Sequence, residues 1–206
     1  MRTLSLLLAC TFSFSILPAQ PPQANTYTVD DIALPAEMNK QVCISGMKFH
    51  NGQLYFASER CPSIFIFDPV NAVISNTISL QVPANFEMEG MTSYKDKLYL
   101  VSESVAAVYE VTIATGAVKI IQTSIALPEK SKDGDGMEGI AANERNNKFY
   151  LLRERNEDMS KSQLLTFSIE PGNETSPFIL KYESMIELPL ENPQWRYSDI
   201  CIDSAA

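Results

Sequence analysis

Glutamates recur at fixed places in a phrase that this chain repeats three times. Carboxylates spaced that way can hold a hard cation, or work as an acid–base pair. The phrase reads Ser45-Gly46-Met47, then Glu89-Gly90-Met91, then Glu138-Gly139-Ile140. Each copy precedes a turn and a Tyr-centred run ending in a carboxylate, at Glu59, Glu103 and Glu154. Glu87, Asp135 and Asp199 approach the same positions. An oxygen-only donor set suits calcium, which tolerates irregular cages of six to eight ligands. Glu89, Glu103, Glu138 and Glu154 are the candidate metal ligands. The first repeat carries Ser45 where the others carry Glu, so the ring of ligands is incomplete. Two other readings stay open. The carboxylates could be structural, accepting backbone N–H bonds and pairing with Arg60, Arg153 and Arg155. A pair of them could also do acid–base catalysis, which needs a defined separation that a sequence does not supply.

Other chemistries find less support. The single histidine, His50, sits in the Phe49-His50-Asn51-Gly52 hairpin turn and is expected to be exposed. A Ser–His–Asp triad is therefore unsupported within these residues. Cys43, Cys61 and Cys201 lack zinc-site spacing, and there is no phosphate-binding G-x-x-x-x-G-K loop. No catalytic residue can be assigned. Asp133-Gly134-Asp135-Gly136 lacks the later ligands of an EF-hand and reads as a turn. Trp195 and Tyr197, beside Arg196, read as packing at a junction between repeats.

The elements that must position the carboxylates follow from the spacing. Gly46 and Gly90 are 44 residues apart, and Gly90 and Gly139 are 49 apart. Repeats of that length with several strands each indicate propeller blades. Strand one carries the Gly phrase and strand two the Tyr-centred run. Strand three is Ser63–Phe67, Ala107–Val111 and Leu164–Ile169. Strand four ends in a proline phrase, as at Ser124-Ile125-Ala126-Leu127-Pro128 and Met185-Ile186-Glu187-Leu188-Pro189. In antiparallel neighbours the start of strand one and the end of strand two share a face, so the glutamates gather at one mouth of the channel. The fold class is all-β: a partial propeller of four-stranded antiparallel blades. Lone strands at Tyr27–Pro35 and Tyr197–Ile202 flank three full units, which suggests part of a longer ring.

The 206 residues carry a formal net charge of −9, which argues against nucleic acid as a partner. Residues 1–19 read as a signal peptide: Arg2, an apolar run, then a small residue at Ala19. The run is too short for a comfortable transmembrane span. Leu7-Leu8-Ala9-Cys10 offers a second reading, a lipobox with a lipid anchor at Cys10. Residues 20–26 read as a linker and 27–206 as the incomplete propeller. The expected location is outside the cytoplasm, periplasmic or extracellular, where disulfides form. Pairing across Asn51-Gly52 sets Cys43 opposite Arg60. A Cys43–Cys61 disulfide then needs a bulge or slip, and the alternative is two thiols.

Asp135-Gly136-Met137-Glu138-Gly139-Ile140 with Phe149-Tyr150-Leu151-Leu152-Arg153-Glu154-Arg155 resembles the SdiA-regulated family and the related esterase-like, phytase-like propellers. Glu87-Met88-Glu89-Gly90-Met91 with Ser102-Glu103 is a second copy of the pattern. Tyr197-Ser198-Asp199-Ile200 resembles the start of a later blade. The resemblance implies a six-bladed ring, an exported protein and a calcium site at the channel. With no nucleophile or base assignable, the expected function is binding of a small-molecule or protein ligand. The alternative is a calcium-dependent hydrolase of phosphoesters or esters.

Overall fold

The computed structural model describes residues 43–202, apart from 69, 72, 84–85, 132–134 and 193. The expected signal peptide, Cys10 lipobox, linker and Tyr27–Pro35 strand lie outside the described residues. No described helix is long and apolar enough to cross a membrane.

Among the described residues, twelve strands form three four-stranded antiparallel blades. The first blade is β1 (Ile44–His50), β2 (Gln53–Ser58), β3 (Ser63–Asp68) and β4 (Val73–Ser79). The second is β5 (Met88–Tyr94), β6 (Lys97–Ser102), β7 (Ala107–Thr112) and β8 (Ala117–Thr123). The third is β9 (Met137–Asn143), β10 (Lys148–Arg153), β11 (Lys161–Pro171) and β12 (Phe178–Pro189). Asn51 and Gly52, and likewise Lys95 and Asp96, all have positive φ. That is the two-residue turn whose twist matches paired strands.

Leu98-Tyr99-Leu100-Val101 is a continuous apolar run because both faces of the middle blade are covered. Successive side chains on a strand point to opposite faces. Leu98 and Leu100 join Tyr55, Ile64 and Ile66 in the core between blades one and two. Tyr99 and Val101 join Phe149, Leu151 and Phe178 in the core between blades two and three. Four rings meet there: Tyr94, Tyr99, Phe149 and Phe178, with centroids 5.3–6.4 Å apart. Tyr94 also donates its hydroxyl to Asn147 Oδ1 at 2.8 Å, tying the turns of two blades together. Tyr94→Phe is expected to cost about 1 kcal/mol in urea denaturation, the worth of one such bond.

The glycines of the repeated phrase set how closely the inner strands approach. A Cβ on Gly46 would lie 3.0 Å from the Met91 amide nitrogen. One on Gly90 would lie 2.8 Å from the Glu138 carbonyl oxygen, and one on Gly139 would lie 3.0 Å from the Ile200 nitrogen. Each glycine thus admits the backbone of the following unit, and β1, β5, β9 and the Asp199–Ile200 segment succeed one another around the axis.

Several expectations are corrected. β8 ends at Thr123, before the proline phrase. Ser124 instead bonds across to the next blade, its amide to the Leu180 carbonyl and its hydroxyl receiving the Tyr182 N–H, each at 2.8 Å. There β8 and β12 pair in parallel, joining blades two and three into one eight-stranded sheet. Tyr197–Ile202 takes the place of an inner strand but forms no ladder. Trp195 and Tyr197 are 58% and 45% exposed rather than packed at a junction. His50 is buried, with its ring 6.2 Å from that of Tyr55 and its Nε2 3.1 Å from Asn51 Nδ2.

Candidate functional site: a buried carboxylate cluster

The same irregularity recurs in each blade and aims the chemistry. In blade one the ladder passes from Ile44↔Ser58 to Gly46↔Ala57, skipping Ser45. In blade two it passes from Met88↔Ser102 to Gly90↔Val101, skipping Glu89. In blade three it passes from Met137↔Arg153 to Gly139↔Leu152, skipping Glu138. The residue before each glycine is therefore the extra residue of a β-bulge, a device that re-aims a side chain. Past each bulge, the terminal glutamate of the second strand donates its amide to the first strand. Glu59 bonds to the Cys43 carbonyl at 2.9 Å, Glu103 to that of Glu87 at 3.1 Å, and Glu154 to that of Gly136 at 3.0 Å. Ser102 and Ser58 brace the turns that follow, their hydroxyls accepting the Val105 and Cys61 amides.

The bulge also settles the register at the cysteines. Cys43 lies opposite Glu59, not Arg60, one step further from Cys61. Cys43 and Cys61 are half-buried thiols in the structure.

Glu103, Glu138 and Glu154 converge. Each offers a carboxylate oxygen within 4.8 Å of the other two. Glu103 and Glu154 are each only 5% exposed. Glu103 Oε1 and Glu154 Oε2 are buried with no hydrogen-bond donor. Glu103 instead faces Glu138, and Glu154 faces Asp135. Two carboxylates in contact need a proton or a cation between them. Glu89 lies beside this cluster, buried, and feels the charges of Glu138, Glu59, Glu103 and Glu87.

Burial, then the neighbouring charges, pushes the Glu89 carboxyl up to about 9. Burial pushes Glu138 up to about 8, with Glu154 and Glu103 adding to it. Glu103 is raised by burial against the pull of Lys130, and Glu154 by burial and then Asp135. Asp199, at the corresponding place in the following unit, is exposed, and its carboxyl is raised only by the partial desolvation its neighbours impose. Asp135 differs. Burial raises it, but the Arg155 guanidinium outweighs that, donating from Nε at 2.7 Å and from Nη2 at 3.0 Å.

The folded chain thus holds protons on Glu89 and Glu138 that the unfolded chain releases near 4.5. Their contribution to stability is complete below that pH and is lost as pH rises through about 8 to 9. Chemical denaturation without divalent cations is expected to show stability falling from pH 5 to pH 9, and Glu89→Gln should flatten the slope.

All four glutamates singled out in the sequence reach this end of the molecule, three of them as a cluster. Their basic partners differ from expectation. Arg153 pairs with Glu157 at 2.6 Å and Gln163 at 3.2 Å, Arg155 takes Asp135, and Arg60 is exposed. The cluster's own counter-ions are Lys130, 2.6 Å from Glu103 and 3.1 Å from Glu87, and Arg196, 3.1 Å from Glu154. Both lie on the segments that follow a fourth strand, where no repeated phrase marks them.

The model of the SdiA-regulated family matches residues 70–173, a span holding Glu89, Glu103, Glu138 and Glu154. The chain belongs to that family. No curated protein sequence matches it. Similar solved structures include the virginiamycin B lyase of Staphylococcus aureus, at 11% identity and a TM-score of 0.45. That match covers 76% of this chain and 58% of the lyase. Hsv2 of Kluyveromyces lactis matches at 14% identity and a TM-score of 0.43, over 71% of this chain and 48% of Hsv2. The chain thus spans about half the length of these structures.

Proposed function

We propose that this family member is an exported propeller that holds a calcium ion at the mouth of its axial channel and binds a ligand or partner there. The observation that supports this best is the pair of buried, donorless oxygens on Glu103 and Glu154, set against Glu138 and Asp135. A site of this kind fits a hard cation. All its donors are oxygens, and an irregular set suits calcium better than magnesium, which demands near-octahedral geometry. Glu103, Glu138 and Glu154 would hold the ion, and Glu89 would add negative charge beside it. When bound, calcium would supply positive charge at the mouth, able to attract an anionic group of a ligand. The Arg155–Asp135 pair fixes the wall behind Glu154. Export rests on the apolar N-terminal run ending near Ala19.

The experiment is thermal unfolding of the full chain at pH 7.5, with and without millimolar calcium. A higher midpoint with calcium, and none with magnesium, supports the reading. Identical midpoints in all three conditions would overturn it. A hydrolysis assay on phosphoesters and carboxylic esters, with Glu138→Gln as control, separates binding from turnover.

A further inference from the structure

The acidic cluster has two kinds of basic neighbour. The Arg155 guanidinium is sealed in with Asp135, their side chains 8% and 1% exposed. Lys130 and Arg196 are different. Their side chains are 36% and 49% exposed, while the Glu103 and Glu154 side chains that they meet are each 6% exposed. Both come from segments entering the rim from outside, one after β8 and one after β12. Each contacts one oxygen of its glutamate, Glu103 Oε2 or Glu154 Oε1. The other oxygen of each is the donorless one.

We propose that Lys130 is a specificity-determining residue of this site, a built-in ammonium ion that competes with the incoming cation for Glu103. The inference rests on the cation reading above and adds what sets the affinity. A divalent ion on Glu103 Oε1 meets the ammonium across the same carboxylate, and like charges that close repel strongly. Lys130 has open solvent to move into, and Glu87 as a second acceptor at 3.1 Å. The buried Arg155 has no such exit. A monovalent ion gains too little from the cluster to displace the ammonium. A divalent ion gains about twice the Coulomb energy and does displace it. Lys130 thereby rejects monovalent ions and sets a threshold concentration for divalent ones. Its release also leaves an ammonium at the rim beside the bound ion, placed to hold an anionic group of a ligand.

The test is calcium titration of the full chain by calorimetry, comparing wild type, Lys130→Met and Lys181→Met. Lys181 pairs with Glu170 at the opposite end of blade three, so it controls for the loss of one positive charge. The expected result is roughly tenfold tighter calcium binding in Lys130→Met and no change in Lys181→Met. Wild-type binding with no tightening in Lys130→Met overturns this inference and leaves the cation reading standing. No binding by wild type overturns both. A second measurement needs no variant. Acetic anhydride labelling of wild type, read by mass spectrometry, should rise at Lys130 when calcium is added and stay constant at Lys181. Unchanged labelling of Lys130 in calcium-bound protein overturns the inference equally.

Discussion

Gly90→Val yields no folded protein. The Cβ alone would lie 2.8 Å from the Glu138 carbonyl oxygen, 2.9 Å from the Ile140 nitrogen and 3.0 Å from the Gly139 Cα. All three are backbone atoms of β9, so no side chain can swing aside to make room. Alanine at this position is expected to cost about 1–3 kcal/mol, the usual penalty of overpacking. Valine adds two methyl groups in the same space and drives β9 off β5. The blades share their cores through these inner strands, so the interface holding Tyr99, Phe149 and Phe178 opens with them. Gly52→Ala is the control. Gly52 has a φ of +77° but nothing within 4 Å of its added Cβ. It should lose only about 1–2 kcal/mol, the left-handed backbone penalty. Soluble yield and urea denaturation of the three variants check this. A Gly90→Val protein as stable as wild type would contradict the close approach of the inner strands.

Glu138→Gln abolishes calcium stabilisation while leaving the cation-free protein intact. Glu138 sits near pH 8, so below that pH it is already protonated, and the amide imitates that state. Cation-free stability at pH 4, where the unfolded wild-type chain is protonated as well, should therefore change little, and the variant should gain on wild type as pH rises from there. At pH 9 the variant should be the more stable protein, because wild type there carries a further buried negative charge against those of Glu154 and Glu103. Calcium at a hundred times its dissociation constant should add about 2.7 kcal/mol to wild type and nothing to the variant. Urea denaturation at both pH values, with and without calcium, gives the four numbers. A variant that keeps the calcium effect would remove Glu138 from the site.

The propeller was legible in the chain because its repeats are written in residue types. A glycine that admits the next strand, a Tyr-centred run and a closing glutamate recur at blade spacing, and each has a local physical cause. The gathering of Glu103, Glu138 and Glu154 followed from strand direction alone. What aims Glu89 and Glu138 inward was not legible. A bulge adds one residue to a ladder, and sequence alone does not say which strand takes it. The same bulge moved Cys43 opposite Glu59. Lys130 and Arg196 were missed because they lie 27 and 42 residues from the glutamates they meet, on segments without periodicity. The proline phrase misled at Ser124, where bonds to Leu180 and Tyr182 of the next blade replaced an ordinary strand end.

A calcium-binding isotherm on the full-length chain, with Glu103→Gln and Glu138→Gln beside it, tests the central claim most directly. One saturable site in wild type, lost in both variants while their circular dichroism stays that of a folded β protein, is the result predicted. An isotherm with no saturable binding in wild type, or one unchanged by both substitutions, would contradict it.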